Sequence, residues 1–309
     1  MQLLTPQSTV AEPLNRHESY EHWRDALCRN ILAAPHDKVW HAILDPNADE
    51  ALPELLWEFY DSSHIFPLFM NTMNHESMLR GPLFVTIQKP NRFVEWFFEK
   101  SGQKPLGILY HAPAEKTDLL FEHLQNLVEC SLPGERKGVF RFYDPRILYA
   151  LCQCGDEKLK ATITGPAIAL HAWEPGFERS VELAGENYFL EQEGFFLEQS
   201  WLDCVSKQTT PYAVIQNMQG ERGDLLRSKP QNEVLLFVCE ICNSLFEIGI
   251  TDIYGCIVGT SFVMQVGHNI FEDEIIQKTI CENINKHSLL DILLELPDAS
   301  FPNELLTKE

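Results

Sequence analysis

Gly138-Val139-Phe140-Arg141-Phe142-Tyr143-Asp144-Pro145-Arg146-Ile147-Leu148-Tyr149-Ala150-Leu151 reads as a strand running straight into a helix. Val139 to Tyr143 is rich in aromatic and β-branched residues, which suit a pleated surface. Asp144 offers a side-chain acceptor to the first free amides of a helix. Pro145 follows where its missing N–H costs nothing. Ile147, Leu148 and Leu151 then recur at helical spacing. In a strand, Arg141 and Tyr143 share one face and Phe140 and Phe142 the other. Two readings stay open. The junction is architecture, with Arg141 or Arg146 paired to Asp144, or it is a functional strand end of the kind α/β proteins use.

On both sides of this stretch, strand and helix patterns alternate. Val39 to Leu44 reads as a first strand, ended by Asp45-Pro46-Asn47. Leu52, Leu55, Leu56 and Phe59 follow helical spacing. Ile65–Met70 and Leu83–Ile87 are expected strands, and Asn91–Lys100 a helix stopped by Ser101-Gly102. Pro105–Tyr110 is a fourth strand, Glu115–Cys130 a helix, and Ala167–Trp173 a last apolar piece. Upstream, Ser19 caps a helix from Tyr20 to Ala33, with Trp23, Leu27 and Ile31 on one side. The alternation predicts an α/β lobe with a mixed, largely parallel sheet and flanking helices.

Near Glu174-Pro175-Gly176 the pattern changes and helical spacing takes over. Phe189–Ser206, Val234–Phe246, a helix from Thr251 or Asp252 to Met264, Phe271–His287 and Leu289–Leu296 are the expected helices. Glu221–Asn232 is a polar connection. The expected organisation is a helical extension over 1–36, an α/β domain over 37–178, and an all-α C-terminal lobe over 179–309, with a cleft between the lobes.

The chain has 309 residues, 45% of them hydrophobic, and a formal net charge of −21, so a sizeable core is available. An acidic surface repels phosphate backbones and anionic membranes, which speaks against nucleic acid and membrane as partners. Met1 to Asn15 is polar and holds two prolines where a signal peptide needs an apolar core. The uncharged run Ile253–Phe271 contains three glycines and polar residues, and reads as a buried helix with its exit loop. With no export signal, the expected compartment is the cytoplasm and the nine cysteines are expected to be reduced.

Familiar catalytic and metal patterns break off at one position each. His75-Glu76-Ser77-Met78-Leu79 has Leu79 where a zinc-protease helix needs a second histidine. His17 and His22 are five residues apart, about 140° around a helix. Cys239 and Cys242 have a CxxC spacing inside an apolar run, with no second pair at suitable spacing. Gly259-Thr260-Ser261 is followed at the needed glycine position by Val263. No catalytic residue, metal ligand or cofactor is therefore assigned. Trp96-Phe97-Phe98 and Phe195-Phe196 carry more rings than one face buries, so at least one ring in each set is expected at the surface, either against other parts of the chain or as a partner anchor.

Phe140-Arg141-Phe142-Tyr143-Asp144-Pro145-Arg146 resembles the signature of a bacterial family known mainly as a domain of unknown function. Its characterised members are type VI secretion effector adaptors, or chaperones, of the Tap and Tec kind. Gly81-Pro82-Leu83, Leu106-Gly107-Ile108-Leu109, His123-Leu124 and Gly165-Pro166 are similar to further family features, in the same order. The resemblance covers about residues 38–175, and His111 stands where members often have serine. It implies a non-enzymatic adaptor that holds one toxic effector and loads it onto a cognate VgrG spike protein. The candidate partner-binding residues are Arg141, Tyr143, Asp144, Arg146, Phe195 and Phe196. Two other classes remain in view: a hydrolase with an unrecognised site, and a toxin-neutralising immunity protein.

Overall fold

Lys38–Leu44 (β1) is the strand on which the first sheet is built. In the computed structural model, residues 19–61, 63–69, 81–87, 91–185, 188, 195–226 and 230–296 are described. The lead-in with His17, the His75–Leu79 stretch, residues 189–194 and residues 227–229 lie outside the described residues. The chain divides into two compact units, Met1–Gln199 and Ser200–Glu309.

In the first unit, α1 (Tyr20–Leu32) starts where Ser19 accepts the amide of His22, as its sequence predicts. The elements that follow are α2 (Leu52–Phe59), β2 (Ile65–Pro67), β3 (Leu83–Ile87), α3 (Arg92–Lys100) and β4 (Gly107–Pro113). Next come α4 (Thr117–Val128), β5 (Glu129–Leu132), β6 (Arg136–Val139), α5 (Pro145–Cys154) and α6 (Glu157–Thr164). The unit closes with β7 (Ala169–Glu174), β8 (Arg179–Ala184) and β9 (Phe195–Phe196).

Six strands form one sheet in the order β2-β3-β1-β4-β7-β8. All its pairs are antiparallel, which corrects the expected largely parallel sheet. The reason lies in the connections. The segment with α2 joins β1 to β2, which run the same way, and α3 joins β3 to β4, which also run the same way. Each crossover skips one position. β3 fills the first gap and β1 the second, both antiparallel to their neighbours. Alternation of strand and helix therefore gave the right crossovers and the wrong neighbours.

Side chains alternate across β1. Trp40, Ala42 and Leu44 join a core with Trp23 and Leu27 of α1, Leu52 and Leu56 of α2, and Phe93 and Phe97 of α3. His41 and Ile43 point the other way, also fully buried. On that face Phe84 meets Phe121 of α4, with ring centroids 5.4 Å apart. The Tyr110 hydroxyl donates to the Ile163 carbonyl of α6 at 2.8 Å. The sheet is thus a middle layer between helices, as a sheet apolar on both faces requires.

A second, small sheet has the order β6-β5-β9. β5 pairs antiparallel with β6 and parallel with β9. Residues 195–196, expected in a helix, are thus a strand, and the helix starts at Gln199.

The second unit carries α7 (Gln199–Leu226), α8 (Gln231–Glu247), α9 (Ile253–Val266), α10 (Glu274–Asn283) and α11 (Leu289–Leu294). The polar stretch from Glu221 continues α7 up to Leu226, where a connection was expected. Gly249, at φ 86°, ends α8, and Asp252 caps α9 by accepting the Gly255 amide. A helical C-terminal region is present as expected. Cys28, Cys130, Cys152, Cys239, Cys242, Cys256 and Cys281 are free thiols; Cys154 and Cys204 are not among them, a departure from nine reduced cysteines.

Candidate functional site

The chain leaves β6 at Val139, so the expected strand through Tyr143 stops four residues early. Phe140 still donates its amide to the Val128 carbonyl at 2.8 Å, the last rung of the β5–β6 ladder. Phe142 and Tyr143 then form a turn, closed by the Asp144 amide on the Arg141 carbonyl at 3.0 Å. The turn is packed from below by rings. Phe140 stacks on Phe195 with centroids 5.1 Å apart, and Phe142 is fully buried.

Asp144 caps α5 as its sequence predicts, accepting the Arg146 amide at 3.0 Å. The Arg146 guanidinium grips the same carboxylate in a fork, Nε to Oδ1 at 3.0 Å and Nη2 to Oδ2 at 2.7 Å. Paired forks of this kind are the stronger class of ion pair. Arg141 reaches across 96 residues of sequence to Asp45 Oδ2 at 2.6 Å, and lies 3.6 Å from Asp144 Oδ2. Asp45 sits just past β1. Its other oxygen accepts the Asn47 amide and side-chain amide, both at 2.9 Å.

Two buried carboxylates and two partly exposed guanidiniums thus alternate: Asp45, Arg141, Asp144, Arg146. Burial works against the charge on Arg141, and Asp144 and Asp45 more than offset it, so its pKa rises. Burial pushes the Tyr143 phenol up to about 12, against the pull of Arg141, to which it is hydrogen-bonded. A neutral quartet with its acceptors filled by N–H donors fastens a turn to a strand end. It leaves the two guanidiniums partly exposed, with both carboxylates engaged by N–H donors.

The sequence-chosen residues separate by exposure. Tyr143, Asp144 and Phe195 are buried. Arg141 and Arg146 keep 45% and 30% of their side-chain surface exposed, and Phe196 is 52% exposed. Phe196, Lys137 and Val139 lie together on the outer face of the small sheet, since Ser131 pairs with both Lys137 and Phe196. Sequence reasoning missed Asp45, which read only as the end of a strand. The signal was a carboxylate at that end and an arginine too many for Asp144 alone.

Two other residues of the resemblance prove to be neighbours. His123 in α4 is buried, with Nε2 2.8 Å from the Thr162 carbonyl. Gly165, at φ 61°, lies so close that a Cβ there would stand 2.5 Å from the His123 ring. Gly107 plays a similar part on β4, where a Cβ would stand 2.1 Å from the Ile43 carbonyl oxygen. Among the described residues, no group of three or more His, Cys, Asp or Glu could hold a metal ion. No helix among them is long and apolar enough to cross a membrane.

An antiparallel α/β unit pinned by an aspartate–arginine quartet, followed by a helical unit, is the class the fold and site define. Within it a DUF4123 domain is found: residues 40–161, from β1 to α6, match the family described as "Domain of unknown function (DUF4123)". No curated protein and no solved structure matches the chain.

Proposed function

We propose that the protein is a non-enzymatic adaptor that holds one type VI secretion effector in the cytoplasm and loads it onto its cognate VgrG spike. The observation that carries this reading is the DUF4123 domain at residues 40–161. It contains the Phe140–Arg146 stretch, whose resemblance points to effector adaptors. The chemistry of the quartet supports it. Its charged groups are spent on one another, and what remains at the surface is Arg141, Arg146 and the Phe196 ring. Arginine and aromatic side chains are the residue types that anchor protein interfaces.

The work is done by surface complementarity. Loading requires two partners on separable surfaces, because a chaperone that held only the toxin would not deliver it, and one that held only the spike would carry nothing. A chain of net charge −21 adds selectivity by repelling acidic surfaces, which leaves partners with basic or apolar patches. Release at loading calls for moderate affinity.

Co-purification tests this reading. The full chain is expressed with type VI toxins and VgrG proteins of its own cell, in pairs and all together. The adaptor reading expects one toxin and one VgrG to be captured singly and a ternary complex when both are present. Capture of the toxin alone, with the toxin's activity abolished, would place the protein among immunity proteins instead.

A further inference from the structure

Three free thiols gather where α8 packs on α9: Cys239 and Cys242 at CxxC spacing on α8, and Cys256 near the start of α9. The two helices approach closely, since a Cβ on Gly259 would stand 2.8 Å from the Leu245 side chain. Across this contact the Cys242 thiol donates a hydrogen bond to the Cys256 sulfur. Both are fully buried, whereas Cys239 is partly exposed. Cysteines three apart in a helix share one face, so Cys242 has Cys239 on its solvent side and Cys256 on its inner side.

The buried pair is unequal. The hydrogen bond from Cys242 lowers the pKa of Cys256 against the effect of burial. The same bond, together with burial, raises that of Cys242. Cys256 thus has the greater thiolate character, and the thiolate is the form that attacks a disulfide. Thr260 follows Cys256 by one turn on the same face of α9. Its hydroxyl is fully buried and has no hydrogen-bond partner among the described residues, which leaves it a donor for a sulfur that gains charge.

We propose that Cys239, Cys242 and Cys256 form a peroxide-sensitive thiol relay that ends in a Cys242–Cys256 disulfide joining α8 to α9. Cys239, the thiol that solvent reaches, attacks hydrogen peroxide. The O–O bond breaks, Cys239 becomes a sulfenic acid and one water leaves. The Cys242 sulfur then attacks the Cys239 sulfur. An S–S bond forms, the S–O bond breaks, and a second water carries off the Cys242 proton. A disulfide inside one helical turn is held away from its preferred geometry, which favours exchange. Cys256 attacks the Cys242 sulfur, and Cys239 departs as a thiol with the proton that Cys256 gives up. In sum, two thiols lose two electrons and two protons, and one peroxide becomes two waters. The relay needs no partner and so stands apart from the adaptor reading.

Peptide mapping tests it. The full chain is purified under reductant, freed of it, treated with hydrogen peroxide, alkylated and digested without reduction. Mass spectrometry should find the Cys242 and Cys256 peptides joined. In Cys239→Ala the same link should form about tenfold more slowly, because the accessible thiol is gone. In Cys242→Ala, Cys239 should accumulate as a sulfenic acid that dimedone traps. Cys281→Ser, which removes an exposed thiol from α10, should leave the link unchanged. Because a disulfide restricts the unfolded chain, peroxide should raise the urea midpoint of the wild type and leave that of Cys256→Ala where it was. Each midpoint is compared before and after peroxide in the same variant, so a variant's own loss of stability cancels. A wild type without the Cys242–Cys256 link overturns the proposal. So does a link that forms as fast without Cys239, or a midpoint that rises equally in Cys256→Ala.

Discussion

Asp144 carries three duties in one carboxylate: helix cap, fork partner of Arg146 and neighbour of Arg141. They separate by substitution. Asn at 144 keeps a capping oxygen and loses the charge; Ala loses both. Because both arginines are partly exposed and can rehydrate, Asp144→Ala should cost about 2–3 kcal/mol, below the full penalty of a broken buried pair. Asp144→Asn should cost about half as much. Urea denaturation of the two variants checks this, and a wild-type midpoint for Asp144→Ala contradicts the structural role. His41 gives a second prediction at this scale. Burial lowers its pKa to about 4, where an unfolded histidine titrates near 6.5. Between those values the unfolded chain holds more protons, so stability falls as pH drops from 7 towards 4 and the loss levels off below. His111 and His123 are lowered by burial in the same direction. Across the whole window His41 alone accounts for about 3 kcal/mol of this loss. The denaturation midpoint of His41→Gln should therefore depend less steeply on pH across that window, and an unchanged slope contradicts the assignment.

At the scale of elements, β9 separates packing from presentation. Phe195 is buried against Phe140, whereas the neighbouring Phe196 is 52% exposed. Phe195→Ala should cost about 3–5 kcal/mol as a core truncation. Phe196→Ser should change stability by less than about 0.5 kcal/mol. Thermal melts of the pair test this, and a large loss for Phe196→Ser would make that ring structural. The same elements show what the chain discloses of itself. Caps were legible, because Ser19, Asp144 and Asp252 act through amides two or three residues away. Leu83–Ile87 was legible to the residue, because its bounds are local. β9 was not, because its strand character comes from pairing with β5, some 65 residues earlier in the chain. For the same reason Phe140–Tyr143 read as strand: its aromatic content suits a sheet, and here it packs as a turn. Asp45 stayed hidden because its partner Arg141 is 96 residues away.

The molecule as a whole joins an antiparallel sheet layered between helices to a separate helical unit. The class was legible, since strands alternating with helices and then helices alone are patterns of composition. Strand order was not, because a crossover that skips a neighbour leaves no local mark. Gly107, His123 and Gly165, met as scattered parts of a resemblance, are places where two backbones or a ring and a backbone come too close for a Cβ. They report on the fold, whereas delivery of a toxin is a property of the cell. The most direct measurement is therefore export of the toxin that co-purifies with this protein, in a strain from which only this gene is deleted. The adaptor account predicts that this one toxin is no longer exported while the secretion system still fires its other cargo. Normal export of that toxin, or killing of the deletion strain by its own siblings, would contradict it.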